Sequence, residues 1–386
     1  MRVLVVNAGS SSVKLRVLDA DDGIAASVDL PAENGRADET AVRRALTGFG
    51  AVDATGHRVV HGGTELTRAV VIDARIEQQL HALTDLAPLH QPAALAMLDV
   101  VRAALPDVPA VACFDTAFHA TMPAAAATYA LPAEWRRRWP LRRFGFHGLS
   151  HAYAARRATE LMGRAPLPSN AGAGAAATGV LRVVTCHLGA GASLAAVAGG
   201  RSVETTMGFT PLEGLVMATR SGSVDPGLVL WLAEHAHLTQ AEIGDGLEGR
   251  SGLRGLAGTG DMRAVLDAAE RGDADAVLAL DVYLHRLRAG IAAMAAAMGG
   301  LDALVFTGGV GENAPTIRAG AADGLAFLGV AVDPQRNATL SRDSAGTIVV
   351  DREIGTDGAA VRTLVVTARE DLEIAREVRT LLTHAP

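Results

Sequence analysis

The sequence predicts an α/β protein of two similar lobes, with mixed sheets flanked by helices and a cleft between the lobes. Its 386 residues exceed the ~150 residues of an average domain, which favours two or three domains. Short apolar runs alternate with long Ala- and Leu-rich stretches, a pattern typical of α/β folds. One strand–turn–strand plan also occurs twice along the chain, and this weak internal duplication indicates two similar lobes.

The first copy of this plan opens the sequence. An apolar run at 2–6 predicts a buried strand, a Gly/Ser turn follows, and 13–18 predicts a second strand. The apolar run at 180–186 is followed in the same way by a small-residue turn, a second apolar run and two glycines. A third apolar run, at 303–306, ends in another glycine-rich turn.

Long stretches rich in Ala and Leu are predicted to form the helices that cover the sheets. They lie at 75–87, 91–105, 225–236, 262–298 and 369–383. The segment 163–179 is rich in Pro, Gly and Ala, and we interpret it as a surface loop or a connection between the lobes.

Composition and charge exclude several classes of protein. The chain is 49% hydrophobic with a net charge of −7, so neither global disorder nor a broad surface for nucleic acid or anionic membrane is expected. It lacks an apolar run of about 18 residues, and its N-terminal apolar stretch is too short for a signal peptide; both predict a cytoplasmic protein. Cys113 and Cys186 lie in strand-like runs and are predicted to be reduced core residues.

Two kinase classes are excluded by their motifs. Lys14 is the only lysine of the chain and follows Val13, so the Gly-Lys-Ser/Thr sequence of a P-loop is absent. The His-Arg-Asp and Asp-Phe-Gly sequences of protein kinases are absent as well. Any phosphate chemistry must therefore use other residues.

Three small-residue turns, each after an apolar strand, point to a phosphate ligand. Glycine lets the backbone approach phosphate oxygens closely, and exposed N–H groups supply partial positive charge. The alternative is that these are ordinary hairpin turns.

Four side chains are candidates for chemistry on such a ligand. Arg58 in HRVVHGG could hold a carboxylate or phosphoryl group with its forked guanidinium, or be structural. Asp115 follows a strand-like run and could be a base, an orienting or metal-linked group, or a helix cap. His147 is interpreted as a donor to a phosphoryl group rather than as a zinc ligand. Arg220, in a glycine-punctuated loop, suits charge stabilisation in phosphoryl transfer.

Together these segments resemble the acetate kinase family over nearly the whole chain. The motifs that carry the resemblance are, in order, NAGSSSVK, HRVVHGG, FDTAFHATMP, GFHGLSH, TMGFTPLEG and FTGGVGEN. The family belongs to the superfamily of acetate and sugar kinases, heat-shock chaperones and actins, so the resemblance implies actin-like (ribonuclease H-like) lobes, each with a βββαβαβα core. It implies an acyl-substrate lobe at 1–148, joined by the C-terminal helix 370–386. It implies a nucleotide lobe with the dimer interface at 149–369.

The resemblance also implies a role for each residue that matches a family motif. Arg58 would hold the acyl carboxylate, and Asp115, His147 and Arg220 would complete the catalytic group. The apolar pocket around the substrate methyl group would consist of Val60, Leu89, Phe146 and Pro211, with His90 beside it. The nucleotide would be bound by Lys14, His187, Leu188, Gly189, Ala190, Gly191, Asp261, Met262, Arg263, Gly309, Val310, Gly311, Glu312 and Asn313. Mg²⁺, with Mn²⁺ able to substitute, would be bound by Asn7 and Glu370.

The implied reaction is the reversible, Mg²⁺-dependent, in-line transfer of the ATP γ-phosphoryl group to acetate, giving acetyl phosphate and ADP, in a homodimer. A propionate or other short-chain acyl kinase and a non-catalytic nucleotide-dependent switch stay open as alternatives. Two residues depart from the family pattern. Ala190 stands where Asn is usual, which leaves the nucleotide preference open, and Arg369 precedes Glu370 where Asn or Asp is usual.

Overall fold

The computed structural model describes residues 1–9, 12–32, 37–87, 91–163, 180–339 and 351–383. Nearly all of the loop predicted at 163–179 lies outside these residues. Contacts divide the chain into two compact units. The first consists of Met1–Ala120, Phe146–Tyr153 and Arg369–Pro386, and the second of Thr121–Gly145 and Ala154–Ala368. The lobe boundaries at 148 and 369 stay predictions; contacts group Thr121–Gly145 with the second unit.

Twelve strands lie within the described residues. Those of the first unit are β1 (Val3–Ala8), β2 (Ser12–Leu18), β3 (Ile24–Pro31), β4 (Ala54–Val59), β5 (Val70–Val71) and β6 (Ala110–Phe114). Those of the second unit are β7 (Arg182–Leu188), β8 (Ala192–Ala198), β9 (Arg201–Thr205), β10 (Ala303–Thr307), β11 (Arg352–Glu353) and β12 (Arg362–Val365).

Fifteen α-helices lie within the same residues. They are α1 (Glu39–Gly48), α2 (Ala74–Ala82), α3 (Gln91–Ala104), α4 (Ala124–Ala127), α5 (Ala133–Arg138), α6 (Gly148–Leu161), α7 (Pro226–Glu234), α8 (Gln240–Gly249), α9 (Gly252–Ala257), α10 (Met262–Glu270), α11 (Ala274–Ala297), α12 (Gly308–Asn313), α13 (Pro315–Asp323), α14 (Pro334–Ala338) and α15 (Glu370–Thr383). Short 3₁₀ turns lie at Thr84–Leu86, Ala117–Thr121 and Ala326–Leu328.

Each unit contains one six-stranded mixed sheet, and the two sheets share a plan. In the first, the order is β3-β2-β1-β4-β6-β5, with β1 to β3 antiparallel and β1, β4 and β6 parallel. In the second, the order is β11-β12-β10-β7-β8-β9, with β7 to β9 antiparallel and β7, β10 and β12 parallel. The prediction of two similar α/β lobes is confirmed.

The two faces of the first sheet pack against different helices, because successive residues of a strand point to opposite sides. Val3 and Val5 of β1 share a buried cluster with Ile374 and Val378 of α15. The intervening residues of β1 belong to a second cluster, which includes side chains of α1 and α3. This packing holds α15 on the sheet and so determines where its first residue, Glu370, lies.

Two of the predicted helices have different bounds in the structure. The stretch 262–298 forms two helices, α10 and α11, so the prediction of one continuous helix was wrong. Gly272 follows α10 with a φ of 84°, a conformation that glycine adopts readily. Asp273 then caps α11 by accepting a hydrogen bond from the Ala276 N–H at 2.9 Å. The helix predicted at 75–87 ends at Ala82 and is followed by a 3₁₀ turn.

The state of the two cysteines agrees with the prediction from sequence. Cys113 in β6 and Cys186 in β7 are buried free thiols, as the sequence predicts. Within the described ranges, none of the helices is both long enough and apolar enough to cross a membrane. The helix α11 has 24 residues, but charged side chains recur along it.

Candidate active site

Polar side chains from three parallel strands meet at one edge of the first sheet. Asn7 lies near the end of β1, Arg58 near the end of β4, and Asp115 directly after β6. Because these strands run parallel, their carboxyl ends lie at the same edge, where ligands bind in open α/β sheets. Glu370, the first residue of α15, reaches the same group.

Arg58 is the centre of this group. Its Nε and Nη2 donate to the carboxylate of Asp115, at 3.0 Å to Oδ1 and 2.6 Å to Oδ2. Its Nη1 donates to Asn7 Oδ1 at 3.1 Å and lies 3.7 Å from Glu370 Oε2. The Asn7 amide donates to the same Glu370 oxygen at 2.7 Å. The bidentate geometry expected of Arg58 is therefore present, and its partner in this structure is Asp115.

Burial and the charge of the partner side chain shift the pKa values of Asp115 and Arg58 in opposite directions. The side chains of Asp115 and Arg58 are 1% and 15% exposed. Burial raises the pKa of Asp115, Arg58 opposes that effect, and Glu370 adds to it. Burial alone would lower the pKa of Arg58, but Asp115 and Glu370 raise it above its ordinary value. Two carboxyl groups share one buried guanidinium, so a further cation at this edge would be stabilised.

The segments that follow β4 and precede α6 contain two buried apolar residues and a histidine. Val60 is 7% exposed and Phe146 is 1% exposed. His147 has a φ of 56°, a left-handed conformation that is uncommon for residues other than glycine. Such strained conformations cluster at functional sites. Leu89 and His90, the remaining predicted pocket residues of this part of the chain, lie outside the described residues.

Two loops of the second unit lie at the carboxyl ends of neighbouring parallel strands. The strand β7 leads into the turn at 189–191, and β10 leads directly into α12. Thr307 pairs in register with His187, so the two loops begin side by side. A Cβ atom on Gly308 would lie 2.9 Å from the carbonyl oxygen of Leu188, which explains the need for glycine there. The structure thus brings two of the predicted nucleotide stretches together.

Other residues predicted to bind nucleotide have structural partners. Glu312 Oε1 accepts hydrogen bonds from the N–H groups of Gly308 and Ala368, at 3.0 and 2.9 Å. Asp261 caps α10 by accepting from the Arg263 N–H at 3.0 Å, and the two side chains form an exposed ion pair at 2.8 Å. Met262 is 5% exposed and lies in the core. The roles of these residues toward a nucleotide stay predictions.

The remaining predicted nucleotide residues lie in β2 and in the two loops. Lys14 is exposed on β2, in register with Asn7. The carbonyl oxygen of Ala190 accepts a hydrogen bond from the Ala218 N–H at 3.0 Å, so the turn after β7 contacts the segment that leads to Arg220.

Arg220 is held by its own loop in the second unit. Its Nη1 donates to the carbonyl oxygen of Pro211 at 3.2 Å and lies 3.6 Å from Met217 Sδ. Burial lowers the pKa of Arg220 below its ordinary value, and Glu248 opposes the effect. The structure therefore brings Arg220 into contact with Pro211, a predicted pocket residue.

Sequence reasoning missed one polar network of the second unit. Tyr129 and Arg143 both bind the carboxylate of Glu213, at 2.5 and 2.7 Å. Glu213 is the only acidic residue between positions 205 and 224, and this isolated charge in a glycine-rich segment was the available signal.

Buried titratable groups of the first unit predict how stability depends on pH. Burial lowers the pKa of His57 to about 3, and those of His61 and His119 to about 4, from 6.5. Burial raises the pKa of Glu377 from 4.5 to about 7. Below 6.5 the unfolded chain binds protons at the three histidines that the folded chain does not, which destabilises the fold. Glu377 opposes this, because the folded chain holds its proton up to about pH 7.

We therefore expect a net uptake of about two protons on unfolding between about pH 6 and pH 5. The free energy of unfolding should fall by roughly 2–3 kcal/mol over that unit. Urea denaturation at closely spaced pH values measures this slope. A free energy of unfolding that is flat or rises between pH 6 and pH 5 would contradict the assignment of neutral, buried histidines.

Comparison with known proteins extends along nearly the whole chain. A sequence profile of the acetokinase family matches residues 38–376. A protein named acetate kinase from Leifsonia xyli subsp. xyli is 45% identical, with 97% of each chain covered. The crystal structure of Porphyromonas gingivalis acetate kinase gives a TM-score of 0.84 at 34% identity, covering 99% of both chains. The crystal structure of a propionate kinase from Francisella tularensis gives 0.85 at 33% identity, covering 97% of this chain and 98% of that one.

Proposed function

The chain belongs to the acetokinase family, and from this membership we propose that it transfers the γ-phosphoryl group of ATP to the carboxylate of acetate. The products are acetyl phosphate and ADP, and the transfer is reversible. The observation that carries the proposal is the buried fork between Arg58 and Asp115 at the carboxyl edge of the first sheet. A protein that only bound nucleotide would have no need of an arginine that binds a small carboxylate, which is the role proposed for Arg58.

The chemical difficulty of this reaction is repulsion between like charges. A carboxylate is a poor nucleophile toward a phosphoryl group, because both are anionic, so the enzyme must fix the acid and neutralise charge. Arg58 is proposed to hold the acetate carboxylate, and Asp115 to orient the guanidinium of Arg58. His147 and Arg220 are proposed to stabilise the negative charge on the equatorial oxygens during in-line transfer.

The nucleotide phosphates are proposed to bind at the turn after β7 and at the start of α12. Both segments are rich in small residues whose backbone N–H groups can approach phosphate oxygens closely. Ala190 in the first of these segments supplies no side-chain amide, so the discrimination between nucleotides rests on the other groups.

A divalent metal ion fits the oxygen ligands at the edge of the first sheet. The amide oxygen of Asn7 and the carboxylate of Glu370 are hard donors, and Mg²⁺ is usually held by one or two such groups together with substrate phosphates. Among the described residues there is no cluster of three or more His, Cys, Asp or Glu side chains suited to a metal ion. We propose Mg²⁺, with Mn²⁺ able to substitute, bound by Asn7 and Glu370; the ion would neutralise phosphate charge.

Acetate is proposed as the preferred acid because the predicted pocket for its methyl group is small. One added methylene changes binding in an apolar pocket by only ~1–3 kcal/mol. We therefore expect kcat/KM for propionate to be about 10–200-fold lower than for acetate. A coupled assay of ADP release, with both acids titrated in parallel, measures the ratio. Equal kcat/KM values would refute acetate as the primary substrate.

A short-chain acyl kinase with another preferred acid is the nearest alternative. The similarity to a propionate kinase structure supports this alternative. The same titration separates it from an acetate kinase. A non-catalytic nucleotide-dependent switch would release no ADP in response to any acid.

We further propose that two copies of the chain associate through helix α7. Leu228, Leu230 and Trp231 of this helix are 44%, 63% and 53% exposed. A helix that is apolar around its circumference is normally buried, and an exposed apolar patch of this kind marks an interaction surface. A second copy of the chain would cover it in a homodimer.

Replacing Trp231 with glutamate is expected to convert the dimer into a monomer, because a charge would be buried without a partner. Sedimentation velocity measures the change. Ile24→Glu, a control on β3 at a side chain that is 50% exposed, should leave the dimer intact. A monomeric wild-type protein, or a dimeric Trp231→Glu variant, would contradict this assignment.

The proposed location is the cytoplasm, and no nucleic-acid partner is proposed. The two buried free thiols suit a reducing compartment. The net charge of −7 opposes binding to polyphosphate backbones.

A further inference from the structure

The segment between β9 and α7 depends on side chains to hold its shape. Residues 206–224, called the arginine loop below, are described throughout and form neither helix nor strand. The loop includes Pro211, proposed for the acyl pocket, and Arg220, proposed for the transferred phosphoryl group. Because a long irregular segment lacks the bonds of a helix or sheet, its polar backbone groups must find other partners.

Tyr129, Arg143 and Glu213, called the loop clamp below, supply many of these partners. Tyr129 Oη donates to Glu213 Oε2 at 2.5 Å and accepts from the backbone N–H of Phe209 at 3.0 Å. Arg143 Nη2 donates to Glu213 Oε1 at 2.7 Å. Arg143 Nη1 donates to the carbonyl oxygens of the first two loop residues, at 3.0 and 3.2 Å. One carboxylate thus joins two donors that also bind the backbone of the loop.

The backbone of the loop lies directly against the clamp at Gly208. A Cβ atom there would come within 1.8 Å of Glu213 Oε2 and 2.2 Å of Tyr129 Oη. The carbonyl oxygen of Gly208 accepts from the Phe144 N–H at 3.0 Å. The absence of a side chain at Gly208 therefore permits the clamp to close on the loop.

The clamp connects to Arg220 through a short stretch of backbone. Pro211 lies midway between Phe209, whose N–H binds Tyr129, and Glu213, whose carboxylate binds both clamp donors. The carbonyl oxygen of Pro211 accepts from Arg220 Nη1 at 3.2 Å. Fixing residues 209 and 213 therefore fixes the acceptor that orients the Arg220 guanidinium.

We propose that Glu213, held by Tyr129 and Arg143, is a positioning residue that sets the place of Pro211 and the direction of the Arg220 guanidinium. The proposal rests on the function proposed above and deepens it, because it assigns rate and acyl selectivity to three residues that touch neither substrate. The Arg143–Glu213 pair is 17% and 35% exposed. Ion pairs at partly exposed positions add little to folding stability, so the main effect of the clamp should be on the loop.

The test replaces one hydroxyl group at a time. Tyr129→Phe removes the bonds to Glu213 and to the Phe209 N–H while keeping the ring. Tyr283→Phe is the matched control: this buried tyrosine of the same unit has a hydroxyl without a hydrogen-bond partner among the described residues. Kinetics with acetate, propionate and ATP, and hydrogen exchange of peptides covering 206–214, are measured for both variants and the wild type.

For Tyr129→Phe we expect kcat with acetate to fall about tenfold and the preference for acetate over propionate to shrink, with KM for ATP within about twofold. Exchange of the 206–214 peptides should be faster. Tyr283→Phe should match the wild type in all four readouts. If Tyr129→Phe fails to fold, Glu213→Gln serves as the second variant. It keeps the shape of the side chain but loses the charge that binds Arg143, and it should show the same kinetic changes.

A Tyr129→Phe enzyme with wild-type kcat and acyl preference overturns the proposal, and so does a slow enzyme whose 206–214 peptides exchange at the wild-type rate. A different result would contradict the function proposed above. In that case the wild type makes no ADP in response to acetate, whereas hydrogen exchange still reports whether the clamp holds the loop.

Discussion

Replacing Arg220 with alanine is expected to lower kcat by about 10³-fold or more, while KM for acetate and for ATP changes much less. An arginine that stabilises charge formed during phosphoryl transfer contributes to the transition state and little to ground-state binding. In the structure the guanidinium of Arg220 is oriented by the Pro211 carbonyl oxygen at 3.2 Å. Burial lowers the pKa of Arg220, and Glu248 opposes the effect. Arginine side chains stay protonated at neutral pH in proteins, so the group can act as a cation.

Steady-state kinetics with acetate and ATP each varied measure this effect. Arg250→Ala is a suitable control, because the Arg250 side chain is 63% exposed and its two partners, the Asp245 carboxylate and the Glu242 carbonyl oxygen, both belong to helix α8 at the surface. Its kcat should stay within about twofold of the wild type. An Arg220→Ala enzyme that kept more than a tenth of kcat would remove Arg220 from the phosphoryl-transfer step.

Replacing Arg58 with alanine is expected to lower the free energy of unfolding by about 3–5 kcal/mol and to abolish saturation by acetate. The variant would leave the Asp115 carboxylate, which is 1% exposed, and that of Glu370 without the cation between them. The unpaired charges would destabilise the folded state, and the substrate carboxylate would lose its proposed partner.

Urea denaturation without added divalent metal measures the first effect, since a bound cation would partly replace the arginine. Arg102→Ala is a matched control: Arg102 and Glu77 form an ion pair of the same length, 2.6 Å, but they are 37% and 31% exposed. Loss of the Arg102–Glu77 pair should lower the free energy of unfolding by only ~0–1 kcal/mol. An equal loss in the free energy of unfolding for Arg58→Ala and Arg102→Ala would contradict the claim that burial makes the Arg58–Asp115 pair important for stability.

Part of the candidate site could be located from sequence, because Asp115 directly follows a strand-like run and the carboxyl ends of parallel strands lie at one edge of a sheet. Arg58 was a candidate because of its forked guanidinium, and Asn7 was named only through the family resemblance. Glu370 was expected there only through the family resemblance. It is 363 residues from Asn7 in sequence, and no local pattern can report a contact at that separation.

The loop clamp could not be predicted for the same reason. Tyr129 and Glu213 are 84 residues apart, and neither lies in a periodic pattern. The left-handed backbone of His147 is also invisible in sequence, because residues other than glycine rarely adopt it and nothing local demands it.

Helix predictions failed where composition was given more weight than termination signals. The sequence Arg271-Gly272-Asp273 contains a glycine stop and an N-cap residue, yet the Ala-rich pattern on both sides led to the prediction of one helix over 262–298. Helix α7 shows the opposite problem. Its apolar pattern predicts burial, whereas the structure exposes Leu230 and Trp231, because a sequence does not state whether a partner covers a surface.

The central claim is that the terminal phosphoryl group of ATP ends on the carboxylate of acetate. Phosphorus NMR of a reaction containing enzyme, ATP, acetate and Mg²⁺ follows both products at once. We expect acetyl phosphate and ADP to appear in equal amounts, and neither to form when acetate is omitted. ADP accompanied by inorganic phosphate alone, or ADP formed at the same rate without acetate, would contradict the claim.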